Sequence, residues 1–123
     1  MKRSEIKLLD NIWSLRVKEE ANRKCEICGR SSDCRLNSHH YIGRSNHTMR
    51  WDLDNGVCLC SEHHKLGKKS AHTDPEWFRG EMIDRRGHKW MNTLIYRSRP
   101  DNIYKGTYQR VRDYLDNKIE HYL

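Results

Sequence analysis

The chain is short of nearly everything from which a large core is built. It has one Phe and two Pro, only 35% of its 123 residues are hydrophobic, and 33% are charged. No apolar run approaches the ~20 residues of a bilayer-spanning helix, so no membrane partner is expected. Nor is there a repeat, a low-complexity tract or a linker long enough to divide the chain, and a single domain over residues 1–123 fits domains of ~100–150 residues. Residues 1–5 lead into mixed polar and apolar sequence without the continuous apolar segment of a secretory signal. The five Cys are an odd count. A reducing, cytoplasmic location is therefore expected, where Cys pairs serve as metal ligands more often than as disulfides.

What is present compensates for the thin core. Four Trp and six Tyr can carry much of the buried area, and a metal crosslink would contribute folding energy directly. Lys and Arg number 24 against 17 Asp and Glu, a net charge of +7. That balance favours a polyanionic partner, nucleic acid being the commonest, although an acidic protein or lipid surface would suit it equally.

Apolar residues Ile6, Leu9, Trp13 and Val17 recur at steps of three and four, predicting an amphipathic helix over residues 4–21 that packs against the domain. A short strand is expected over residues 35–42, a polar loop at 44–46, a turn at 51–56 and a second, antiparallel strand over 57–60. Ser61 is a candidate N-cap for a helix over 62–66. The two prolines mark boundaries: Asp74-Pro75 starts a helix that stops near Gly87, and Pro100 follows a helical segment over 89–96. A final amphipathic helix is expected from Tyr108 through Val111, Leu115 and Ile119 to Tyr122. Its apolar stripe could cover the domain or form a homodimer.

Two chelating pairs stand out, Cys25-x-x-Cys28 and Cys60-x-x-His63, separated by 32 residues. Tetrahedral zinc asks for four such ligands in two short pairs, and one ion bound by all four would staple the intervening loop. Buried cysteines and a surface histidine are the simpler alternative. Cys58 points to the same face of a strand as Cys60 and could replace a ligand or merely pack. Cys34 is left outside the site.

Between and beyond the pairs lie His39-His40-Tyr41-Ile42-Gly43-Arg44, Arg50-Trp51-Asp52-Leu53-Asp54-Asn55-Gly56-Val57-Cys58-Leu59-Cys60, His63-His64 and Ser70-Ala71-His72. This pattern resembles the HNH, or ββα-metal, endonuclease family, particularly its small phage-type members. The resemblance spans roughly residues 24–80 and leaves residues 1–23 and 81–123 as flanking helices. It implies an α+β fold with a zinc-stapled ββα-metal core, acting on DNA in a phage or its bacterial host cell. His40 matches the general base, for which an imidazole is suited at neutral pH. Asn55 matches the residue that holds the loop by hydrogen bonds to backbone, and His64 matches a ligand of a catalytic ion, which could be Mg, Mn, Ni or Zn.

Completion of that ion's ligands is left open between His39, which precedes the base, and His72. The usual pattern puts the last ligand where this chain has Lys68. The implied reaction is one-metal hydrolysis of a phosphodiester to a 5′-phosphate and a 3′-hydroxyl. Arg44 is a candidate phosphate clamp, and equally an ordinary surface arginine. Lys65, Lys68 and Lys69 would follow the DNA backbone without reading sequence. The enzyme could be a nickase or structure-selective. A noncatalytic zinc-stapled nucleic-acid-binding module is the alternative, and a zinc-dependent protein-interaction module a third. His47, His88 and His121 are assigned nothing.

Overall fold

The computed structural model describes residues 1–31, 34–102, 104 and 106–123. It is a small α+β arrangement about a two-stranded antiparallel sheet, β1 (Leu36–His40) and β2 (Gly56–Cys60). Leu36 pairs with Cys60 and His40 with Gly56. Successive strand side chains point to opposite faces, and here each face meets a different layer. Cys58 packs with Trp13 and Val17 of the first helix, whereas Val57 and Leu59 pack with Phe78 and Met82 of a later one.

The helix α1 (Arg3–Glu20) buries Leu9, Trp13 and Val17, the stripe that the sequence spacing predicts. It lies so close to the sheet that a Cβ at residue 56 would collide with the Val17 side chain. Only glycine fits there. α4 (Tyr108–Leu115) lies against α1 and buries Val111, Tyr114 and Leu115 in the same core. On the other face, α2 (Pro75–Arg86) begins as expected, with Asp74 accepting a hydrogen bond from the Trp77 N–H at 3.1 Å. Gly87, at φ 91°, ends α2 and leads directly into α3 (His88–Arg97).

Three elements depart from expectation. β1 is five residues long and stops at His40, because the chain then bends around the Asn55 side chain. The segment Glu62–Leu66 is a single wide turn closed by a 2.8 Å hydrogen bond from the Gly67 N–H to the Glu62 carbonyl. Ser61 does not cap it. Its backbone is already helical, and its hydroxyl donates to the Arg35 carbonyl at 3.4 Å.

The last helix ends at Leu115 instead of reaching Tyr122. Asn117 takes a left-handed conformation, φ 62°, and the Lys118 N–H bonds the Asp113 carbonyl at 2.7 Å, which is a Schellman closure. The tail turns back, and the buried Tyr122 donates its hydroxyl to the Thr48 carbonyl at 2.6 Å. Asp52, fully buried, sits at this junction with Arg97 Nη1 at 3.0 Å and His121 Nε2 at 2.7 Å. His121, unassigned from sequence, is thus part of the packing that fixes the tail. Among the described residues, no helix is long and apolar enough to cross a membrane.

Candidate metal centres

The first centre forms where a knuckle meets the end of β2. The Cys25 N–H bonds the Arg30 carbonyl at 2.9 Å and the Gly29 N–H returns to the Cys25 carbonyl at 2.8 Å. Gly29 has φ 76°, a conformation that glycine adopts without a Cβ penalty. The Glu26 N–H joins the knuckle to β2 through the Cys58 carbonyl at 2.9 Å, and Arg86 of α2 pairs with the Glu26 carboxylate at 2.5 Å. β2 then delivers Cys60, and the wide turn delivers His63.

The four side chains converge. Cys28 Sγ lies 3.8 Å from Cys60 Sγ, and His63 Nδ1 lies 3.3 Å from Cys60 Sγ and 3.9 Å from Cys25 Sγ. A tetrahedron with zinc–sulfur and zinc–nitrogen bonds of ordinary length has edges of about 3.5–3.8 Å. Both the donor set and its spacing therefore fit a structural ion such as zinc, and the four residues could hold one metal. Burial pushes the Cys60 thiol up to about 11. For Cys25 burial acts the same way, but N–H groups of Cys60, Cys28 and Ile27 outweigh it and bring the thiol below its ordinary value. A thiol that coordinates a metal is deprotonated, the proton passing to solvent as the sulfur binds the ion. Cys58 is not in the cluster and packs in the core under α1.

The second cluster comprises His39, His64 and His72, whose ligand nitrogens all lie within 4.8 Å of one another. His39 leaves β1 on the α2 side and meets the Phe78 ring edge-on at 5.4 Å. His64 comes from the wide turn. His72 is brought back to it because the turn ends early and the following loop pairs with it: the Ala71 N–H bonds the His63 carbonyl at 2.8 Å and the His72 N–H the His64 carbonyl at 3.1 Å. Both His39 and His72, the two alternatives left by the sequence, lie beside His64. Burial, reinforced by the neighbouring imidazoles, lowers His39 to about 3, and burial with His72 and Lys65 lowers His64 to about 4. Both rings are neutral at pH 7. Neutral imidazole is the form that binds metals.

His40, one residue along the pleat, goes to the α1 side. Its ring lies against Trp13 and its Nε2 is 2.9 Å from the Arg50 carbonyl. A carbonyl can only accept, so Nε2 carries the hydrogen and the neutral ring keeps its lone pair on Nδ1. Burial lowers the His40 pKa, against the raising effect of the Arg50 carbonyl and Asp10. Arg50 is itself fixed by a two-pronged pair with Asp10 of α1, at 3.0 and 2.8 Å, and the Trp51 indole N–H also reaches Asp10 at 2.8 Å. Asn55 is fully buried. It accepts from the Ile42 N–H at 2.7 Å and donates to the Ile42 and Met49 carbonyls at 2.9 and 3.2 Å, clasping both ends of the loop after β1.

His39, His40, His64, His72, Arg44 and Lys65 line one cleft of about 380 Å³. Arg44 and Lys65 are exposed at its edge. Lys68 and Lys69 are exposed on the adjoining loop, with the Lys69 ammonium 5.7 Å from the Trp77 ring centre. Sequence reasoning missed Asp10, Trp13 and Arg50 as the support of His40. Nothing local could have signalled it, since Asp10 and Arg50 are 40 residues apart in the chain. No protein-family model matches this chain, and neither a curated protein nor a solved structure matches it.

Proposed function

We propose that the protein is a metal-dependent DNA endonuclease of the HNH kind, hydrolysing phosphodiester bonds at the cleft between β1 and the wide turn. The observation that carries this reading is that His40, with its tautomer set by a carbonyl, lines the same cleft as three imidazoles whose nitrogens lie within 4.8 Å of one another and could hold one ion. A base and a metal-binding cluster in one hollow are the two parts that phosphodiester hydrolysis needs.

In this mechanism His39, His64 and His72 would hold the ion, which when bound would supply Lewis-acid stabilisation of charge on the phosphate and the departing 3′ oxygen. His40 accepts a proton from water at Nδ1, while its Nε2–H stays with the Arg50 carbonyl. Asn55 keeps the loop from residue 42 to 49 closed around that geometry. Arg44, at the cleft edge, is placed to grip phosphate oxygens with its fork, and Lys65, Lys68 and Lys69 to follow the DNA backbone. The expected products carry a 5′-phosphate and a 3′-hydroxyl. The staple of Cys25, Cys28, Cys60 and His63 would hold a structural ion such as zinc and so fix the turn from which His64 projects.

The test is incubation of supercoiled plasmid with wild type and His40→Ala, with EDTA and with added Mg, Mn, Ni or Zn, after matching their folding by circular dichroism. Metal-dependent nicking or linearisation that is lost in His40→Ala is expected. Intact plasmid under every metal, with salt-sensitive DNA binding retained, would replace this reading with a noncatalytic binding module.

A further inference from the structure

The metal cleft does not end at His39 and His40. On the α2 side it continues into a second, more apolar hollow of about 760 Å³ that shares His39, His40, Gly43 and His72 with it. The new walls are Tyr41, Phe78, Ala71 and Pro75, with Glu76 and Arg79 exposed at the rim. That size lies within the ~300–1,000 Å³ of pockets that take small organic groups. Tyr41 forms the aromatic side. It is half-buried, tilted on Phe78 at 5.9 Å and met edge-on by Trp90 at 5.1 Å, and its remaining surface lines the hollow.

Resting on the nuclease reading, we propose that this hollow receives an unpaired nucleobase adjoining the phosphate bound in the metal cleft, so that the favoured substrate is single-stranded, flapped or bulged DNA. Three observations converge on it. The hollow shares four lining residues with the metal cleft, so a group seated in it would adjoin a phosphate held at the cleft and belong to the same strand. It is walled by an aromatic ring, and bases bind to aromatic side chains by stacking in a way that tolerates sequence. Among its charged lining residues are one cation, Arg79, and two carboxylates, Glu76 and Asp74, the latter already accepting from the Trp77 N–H; Arg79 is a donor for ring and carbonyl acceptors and Glu76 an acceptor for exocyclic amino groups. A base within a duplex faces inward and cannot reach such a hollow without leaving the stack, at a cost least for nucleotides that are already unpaired.

The experiment uses the zinc-loaded 123-residue chain without further divalent ion, and measures binding of a single-stranded oligonucleotide containing 2-aminopurine against the same sequence as duplex. Tighter binding of the single strand with quenching of the 2-aminopurine is expected. Tyr41→Leu, which keeps an apolar side chain on Phe78 and Trp90, should reduce the single-strand to duplex affinity ratio by about five- to a hundredfold, and Tyr41→Phe should restore it. Arg79→Ala, at the exposed rim, should lower single-strand affinity without touching the core. Equal affinity for both forms, a ratio unchanged in Tyr41→Leu, or no binding of either form would overturn the proposal. No cleavage is needed for this readout. With Mg, Mn, Ni or Zn then added, failure to cleave the single-stranded oligonucleotide while single-strand selectivity is retained would sink the nuclease reading alone, and metal-dependent cleavage with equal affinities would sink the hollow alone.

Discussion

The indole of Trp13 lies flat against the imidazole of His40, with ring centres 3.9 Å apart and planes within 13°. Trp13 also donates its ring N–H to the Asp52 carbonyl at 2.9 Å. A helix from the start of the chain therefore walls the side of His40 away from the sheet, and the same helix supplies Asp10 to hold Arg50.

Trp13→Ala should accordingly cost about 3–5 kcal/mol of stability, the usual loss for a large aromatic in a core, read from the midpoint of urea unfolding. Trp13→Phe should recover most of that loss and, on the proposed function, most of the cleavage. A Trp13→Ala protein with unchanged midpoint would show that the stacking is incidental.

The close approach of α1 to the sheet gives a second test. Gly56→Ala sets a methyl against Val17, and overpacking of this kind costs about 1–3 kcal/mol. Adding Val17→Ala opens the space, so the double variant should be more stable than the sum of the two single changes predicts. Strict additivity in chemical denaturation would refute the contact.

Removal of the staple should have the largest effect. Cys28 is the exposed ligand of the four, so Cys28→Ser disturbs packing little while removing a thiolate. Zinc content should fall from one equivalent per chain in the staple to a chelator-labile fraction, and thermal unfolding should broaden and move down, because structural zinc contributes folding energy directly. Equal zinc retention and melting in wild type and variant would remove Cys28 from the ligand set.

The buried imidazoles make stability depend on pH with a definite sign. His39 titrates near 3 and His64 near 4 in the folded chain, against about 6.5 when unfolded. Between those values the unfolded chain binds protons that the folded one refuses, so stability is full above about pH 6.5 and is lost as pH falls toward the folded values. His39→Leu cannot take that proton. Its stability relative to wild type should therefore improve steadily from pH 7 to pH 5, measured by urea midpoints at each pH with the same zinc load. A constant difference would mean that His39 is not held neutral by burial.

Much of this was written locally in the chain and some of it could not be. Cys25, Cys28, Cys60 and His63 announce themselves by spacing, as chelating pairs must span a short arc. The stripe on α1 and the Asp74-Pro75 start are equally local. His72 stood outside the expected helical turn, and only the early end of the turn after His64 brings it back. Ile119 and Tyr122 continued the period of α4, yet they reach the core from a reversed tail. Apolar spacing records burial and not the path by which burial is reached. Asn117 was the sign of the stop, being the residue after glycine most tolerant of a left-handed backbone. The contacts of Asp10, Trp13 and Tyr122 with the residues between 40 and 53 are tertiary, and no window along the sequence contains both partners.

His63 and His64 are neighbours in sequence, but one belongs to the cysteine cluster and the other to the imidazole cluster. The two centres thus hang from one peptide unit in a single wide turn. An ion in the first would stiffen the hinge from which the second would take its ligand; the affinities of the two positions would then be linked, and by reciprocity occupation of the second would tighten the first.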